Sequence, residues 1–428
     1  MTPSSLAING GTPVRTKPWH ESNAIGVEEQ KAAERVLKSR YLSLFHGTHR
    51  PRPPFSFFGG PEVQNLERQA REQLGVSHVV SVNSATSGLF SAIGALGIGF
   101  GDEVIVSPYT MSACAMAPLV YGAIPIFADV ERATGCLDPA SIREKITERT
   151  KTILVVHQFG IPADMDVICA IAREHKLSIV EDCAQAWGAT YKGKTVGTMG
   201  DIGVYSFNVH KTIDCGEGGL CITNNDELAL RLQLIRNHGE SVMGDAGYEN
   251  GTNIVGFNYR LTEVQAAIAV EQLKKLESLN AERLALVETL SDGLRKHHCL
   301  ITPDPPAERR ATYYVYPLRY LAEHCGGTPR SEFARMLLAE GISFVEGYTK
   351  PLYLLPLFQK RLAYKHGYPW NATENKASKP NYQQGSCINA EKLHREEMLL
   401  NLYICPPQTE EDMHDIVKAV DKIIAACS

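Results

Sequence analysis

Three strand-end clusters and one turn combine residue types and spacings that could carry chemistry. In Asn83-Ser84-Ala85-Thr86-Ser87-Gly88, small hydroxylic residues stand where an apolar run gives way to a helical pattern. The unpaired amides of a helix start suit a phosphate there, and the plainer reading is N-capping by Ser84 or Thr86. Glu181-Asp182, with Gln185 shortly after, ends a second apolar run. A carboxylate in that place holds a positively charged ring nitrogen, or simply caps a helix. Lys211 follows Ser206-Phe207 and precedes Gly216-Glu217-Gly218-Gly219. A lysine between a buried strand and a glycine-rich turn can lose hydration and present the neutral amine that forms Schiff bases, although most lysines are solvated. His210 beside it reads as structural, and Asn258-Tyr259-Arg260 reads as a turn with a surface cation.

An open parallel sheet presents functional groups at the carboxyl ends of its strands, and the surrounding pattern predicts such a sheet. Apolar runs at 79–82, 103–106, 124–130, 152–157 and 177–180 alternate with helical patterns at 86–96, 111–121, 138–146 and 165–175. That rhythm gives an α/β fold with helices on both faces of a mostly parallel sheet. Shorter strands around 189–191, 204–207 and 220–223 are expected to extend the same sheet. Thr262-Glu263-Val264-Gln265 has the form of a capping box opening a long helix. Amphipathic helices around 331–340 and 409–426 flank less regular segments, and 350–379 is loop-rich and aromatic. The expected organisation is an N-terminal arm over 1–24, a large domain over 25–260 and a smaller α+β domain over 261–428.

Composition narrows the function classes. The 428 residues carry a formal net charge of −5, which excludes a nucleic-acid binder by bulk charge. With 44% hydrophobic and 21% charged residues the chain can bury a large core. The 11 cysteines are scattered without a C-x-x-C pair, so neither a disulfide framework nor a zinc site is expected. No stretch has the length and apolarity of a signal region or membrane span, and a cytoplasmic protein is expected. Gly97-Ile98-Gly99-Phe100-Gly101 follows a helix and leads into a strand, the reverse of a dinucleotide fingerprint.

Taken in order, a phosphate cradle, a strand-end acid, and a lysine with a hydroxyl five residues before it form the inventory of a pyridoxal phosphate (PLP) enzyme. The sequence resembles the sugar and cyclitol aminotransferases of PLP fold type I, the DegT/StrS-like enzymes of amino-sugar and aminocyclitol biosynthesis. The likeness runs from Leu6-Ala-Ile-Asn-Gly-Gly-Thr-Pro-Val14 through the clusters above, Gly101-Asp-Glu-Val-Ile105, Val156-His-Gln-Phe-Gly-Ile-Pro-Ala-Asp-Met-Asp166 and Gly256-Phe-Asn-Tyr-Arg260. It implies a seven-stranded sheet sandwiched by helices. It further implies that Lys211 holds PLP as a Schiff base, Asp182 pairs with the pyridinium nitrogen and Gln185 lies near the ring hydroxyl. Ala85, Thr86 and Ser206 would bind the phosphate, and Asn258 would reach it from the neighbouring subunit of a homodimer. The implied reaction is ping-pong transfer from glutamate or glutamine to a keto sugar, nucleotide-linked, or a keto cyclitol.

Two features depart from the family pattern. Met111 stands where the family places an aromatic ring over PLP, and its thioether gives a less defined platform. The segment 44–58, with His46, His49, Arg50, Arg52 and four phenylalanines, is longer than the family carries; it either shapes acceptor choice or forms a solvent loop. The alternatives are a PLP-dependent sugar dehydratase, which carries histidine at the lysine position, and a non-catalytic PLP-binding regulatory protein. His210 falls one residue early for the first, and intact Lys211, Asp182 and Ser206 argue against the second.

Overall fold

The computed structural model describes residues 6–21, 24–48, 52–244, 251 and 253–427. Helices α1 (Val27–Ser39) and α2 (Pro61–Leu74) precede β1 (His78–Val82). Strands and helices then alternate as α3 (Ala85–Ala95), β2 (Glu103–Val106), α4 (Ala113–Val120), β3 (Ile124–Phe127), α5 (Pro139–Lys145), β4 (Thr150–Val156), α6 (Met165–His175) and β5 (Ser178–Asp182). Next come β6 (Thr190–Tyr191), β7 (Lys194–Thr195), β8 (Ile202–Ser206), β9 (Gly219–Thr223), α7 (Asp226–Arg236) and α8 (Glu263–Leu294). The remaining elements are β10 (Leu300–Ile301), β11 (Arg309–Arg310), β12 (Tyr316–Tyr320), α9 (Arg330–Ala339), β13 (Val345–Glu346), α10 (Pro356–Gln359), α11 (Ile388–Lys392), β14 (Met398–Asn401) and α12 (Glu410–Cys427).

The expected seven-stranded sheet is present, in the order β1-β9-β8-β5-β4-β2-β3, and β9 alone runs against its neighbours. Its central strands are apolar at successive positions because helices cover both faces, so alternation has nothing to separate. Side-chain caps set the helix starts: Ser84 accepts from the Ser87 amide at 3.1 Å and Asn225 from Leu228 at 3.0 Å. At the start of α8, Thr262 accepts from the Gln265 amide, and its hydroxyl donates to the Gln265 side chain at 2.7 Å.

The strand expected around 189–191 does not join this sheet. β6 pairs instead with β7 and β11 in a separate three-stranded sheet. Lys192 and Gly193 both take positive φ, which folds Tyr191 back onto Lys194, and the Lys192 amide donates to the Glu308 carbonyl at 2.7 Å. The helix expected at 111–121 begins at Ala113, and the strand expected over 124–130 ends at Phe127.

The second layer is an antiparallel sheet, β10-β12-β14-β13, packed on α9, α12 and the latter half of α8. Ala266, Leu273 and Leu276 on the first half of α8 join one apolar cluster, while Leu286, Leu290 and Leu294 join another. One uninterrupted helix therefore carries both layers. Tyr353, Phe358 and Tyr382 from the loop-rich 352–382 stretch return to the first sheet and pack around Phe127 at its edge, with Trp370 against Phe358 and Tyr382. The chain start lies on the C-terminal elements, where Arg15 pairs with Asp412 at 2.7 Å.

The two ends of the 44–58 segment pack into the fold, while 52–54 face solvent. Phe45 and Phe57 are buried, the Ser56 amide donates to the Leu44 carbonyl at 2.9 Å, and Asn237 Nδ2 donates to the His46 and Phe57 carbonyls. His49, Arg50 and Pro51 lie outside the described residues.

Candidate active site

β1, β8 and β5 point the same way, so their carboxyl ends share one edge of the sheet, and β9 starts at that edge. Gly219 pairs with Val82 on one side and Ser206 on the other, and Asp182 pairs with Val204. The register thus gathers the start of α3, Ser206 and Asp182 at one place.

A Cβ on Gly219 would stand 2.7 Å from both the Ala85 nitrogen and the Ser84 carbonyl carbon. Only glycine lets the start of α3 lie this close to β9. Gly88, one turn on, similarly lets α3 pack on Val204, which a Cβ would approach to 2.8 Å. The Ala85 and Thr86 amides occupy the first turn, where no intrahelical acceptor exists, and Thr86 is exposed. These two donors at the positive end of a helix form a cradle for an anion.

Asp182 ends β5 and is 6% exposed. Its Oδ1 accepts from the Ala184 amide at 3.0 Å and its Oδ2 from the Cys114 thiol at 3.1 Å. Each oxygen keeps a second lone pair, so the carboxylate can still receive a ring N–H. Ser206 Oγ is buried, accepts from the Asn208 amide at 3.2 Å, and retains its own O–H to donate. The Trp187 indole fixes the strand end by donating to the Ser206 carbonyl at 2.8 Å.

Lys211 lies in the connection from β8 to β9, tied down by its amide on the Asn208 carbonyl and by the Val209 amide on Gly216. Its Nζ sits 4.5 Å from the centre of the Tyr314 ring. Burial pushes its amine below the ordinary lysine value, with the Asp182 charge opposing. The side chain is therefore poised toward the neutral amine, as a nucleophile or base requires. His210 is exposed.

Gln185 is buried, its Oε1 accepting from the Phe159 amide at 2.7 Å and its Nε2 donating to the Tyr348 hydroxyl at 3.2 Å. The Tyr348 and Tyr314 hydroxyls also interact, and burial raises both phenols. Met111, 52% exposed, precedes α4 by two residues. Asn258 is exposed, and its carbonyl faces the Asn83 side-chain amide at 3.5 Å beside the start of α3. The cluster thus gathers Ala85, Thr86, Asp182, Ser206 and Lys211, with Gln185 adjoining through Tyr348.

Cys114, Tyr314 and Tyr348 escape the strand-end logic, since none follows a parallel strand directly and their places depend on packing between layers. Behind the site, His157 and Glu181 form a fully buried pair at 3.0 Å. His157 Nδ1 accepts from the Ala163 amide and Glu181 also accepts from the Gly197 and Met199 amides, so with Cys183 nearby the trio is a satisfied scaffold. Among the described residues no helix is long and apolar enough to cross a membrane.

The donor set fits a phosphorylated pyridine aldehyde: an anion cradle, a carboxylate with free lone pairs, and an amine of lowered basicity. Comparison with known proteins places the chain among aminotransferases. The L-glutamine:2-deoxy-scyllo-inosose aminotransferase of Streptoalloteichus tenebrarius is 34% identical, over 99% of this chain and 98% of that protein. The L-glutamine:scyllo-inosose aminotransferase of Streptomyces griseus is also 34% identical, over 79% of each. The crystal structure of S. venezuelae DesV superposes with a TM-score of 0.77 at 30% identity, covering 93% of this chain and 94% of that one. Residues 55–378 match the DegT/DnrJ/EryC1/StrS aminotransferase family, and the chain belongs to that family of aminotransferases.

Proposed function

We propose that this aminotransferase uses PLP to move the amino group of glutamine to a keto cyclitol. The convergence of Lys211, Asp182, Ser206 and the start of α3 at one sheet edge carries the reading. When bound, the cofactor supplies an electron sink for deprotonation at the carbon bearing the amino group. The Ala85 and Thr86 amides and the Ser206 hydroxyl would hold its phosphate, Asp182 would accept the pyridinium N–H, and Met111 and Gln185 would lie beside its ring. Lys211 Nζ would join the cofactor's aldehyde carbon with loss of water, and, once the donor's amine has displaced it, the freed Nζ would carry the proton removed from the donor carbon. Its lowered basicity supports both duties.

The amino donor and the acceptor class follow from the glutamine:inosose relatives. Two copies of the chain form the working unit, with Asn258 completing the partner's phosphate site. The exposure of Asn258 and of Val255 nearby supports that role. Incubation with glutamine and 2-deoxy-scyllo-inosose, followed by mass spectrometry, tests the proposal. The expected result is the aminated cyclitol. Amination only of a nucleotide-linked keto sugar would replace the acceptor, and no amination of either would overturn the reading.

A further inference from the structure

Asp182 has two oxygens and two fixed donors, and one of the donors is a thiol. The Ala184 amide reaches Oδ1 at 3.0 Å and Cys114 Sγ reaches Oδ2 at 3.1 Å. The two donors come from different parts of the chain: Ala184 lies two residues after Asp182, whereas Cys114 lies in the first turn of α4, 68 positions earlier. The carboxylate cannot turn about its Cβ–Cγ bond without breaking both contacts. Cys114 is fully buried, and burial followed by the Asp182 charge pushes its thiol up, so it remains S–H and donates. A buried cysteine usually acts as a small hydrophobe, yet this one spends its single proton on an ionisable group.

We propose that Cys114 is a positioning residue that sets the orientation of the Asp182 carboxylate toward the ring nitrogen of the cofactor. The inference rests on the proposed role of Asp182. Cys114 itself touches neither cofactor nor substrate; it acts through the carboxylate, and α4 thereby couples the strand β2 connection to the end of β5.

Serine and alanine at 114 separate positioning from packing, because they have similar volumes and opposite hydrogen-bonding capacity. If the thiol positions Asp182, Cys114→Ser retains most of kcat, while Cys114→Ala loses roughly tenfold, in the range of one charge-assisted hydrogen bond, with KM for the donor little changed. If the site needs only an apolar filler, the order reverses, since the serine hydroxyl then carries an extra burial cost. A second readout needs no cofactor. The infrared S–H stretch assigned by difference against Cys114→Ser lies at the low frequency of a donating thiol in the wild-type apoprotein and moves up in Asp182→Asn. The third is the pH dependence of the near-visible absorbance of the bound cofactor, which shifts in Cys114→Ala and not in Cys114→Ser.

Alanine equal to or better than serine, in a wild-type protein that binds PLP, would overturn the positioning role and leave the proposed activity standing. A wild-type protein that binds no PLP would overturn both, even with the S–H signature intact. An S–H stretch unmoved by Asp182→Asn would remove the contact on which the inference stands.

Discussion

The Lys211 side-chain nitrogen stands 4.5 Å from the centre of the Tyr314 ring, so the lysine of the β8–β9 connection is faced by an aromatic residue that enters just ahead of β12. The ring face stabilises the charged amine, partly offsetting the burial that disfavours it. Tyr314→Phe keeps the face and Tyr314→Leu keeps only the apolar cover. At about 2 kcal/mol for a desolvated cation–π contact, the leucine variant should move the titration of the Lys211 amine roughly 1.5 pH units lower. The pH dependence of amine modification in the apoprotein, read by mass spectrometry at Lys211, checks this. Equal profiles for the two variants would remove the ring from the account.

Gly219 is constrained by backbone and not by a movable side chain. The atoms a Cβ would meet at 2.7 Å belong to Ser84 and Ala85, so Gly219→Ala should displace the start of α3. Overpacking of this kind costs about 1–3 kcal/mol, and a moved cradle should weaken PLP binding by roughly tenfold or more. Gly244→Ala, where no atom of the described residues lies within 4 Å, serves as the control. Urea unfolding midpoints and PLP titrations on both variants decide it.

The attachment of the chain start to α12 should be sensitive to acid. Burial would raise the Asp412 carboxyl, but the Thr409 amide, Arg15 and Lys17 outweigh it and draw it from the ordinary 3.8 to about 2. Because the folded value is depressed, the stabilisation is complete above the ordinary value and is lost as the pH falls toward about 2. It amounts to about 2 kcal/mol. Asp412→Asn should therefore be less stable at neutral pH and lose less than wild type on acidification. Urea unfolding at neutral pH and near pH 3 checks both arms.

The alternation of 79–182 is readable because its helices and strands are long enough to show a period, and the strand-end position of Asp182 follows from it. Two-residue strands carry no period, which is why the sequence pattern does not separate β6 from the large sheet: its partners are set by the turn at Lys192-Gly193 and by β11, more than a hundred residues away. The same limit hid Cys114, Tyr314 and Tyr348. Cys114 approaches Asp182 across 68 positions of sequence, and Tyr348 meets Gln185 across 163. Such contacts follow from packing between layers, which local residue patterns do not encode. The buried role of Phe45 and Phe57 was likewise obscured, since a run of prolines and basic residues between them reads as a surface excursion.

The most direct test of the central claim is the near-visible absorbance of the purified protein with PLP, beside Lys211→Ala, before and after glutamine is added. The account predicts a band in the wild type that bleaches with glutamine, and a mutant whose band is absent or displaced and does not respond. A wild type that binds no PLP, or a mutant that responds to glutamine as the wild type does, would contradict the assignment of Lys211.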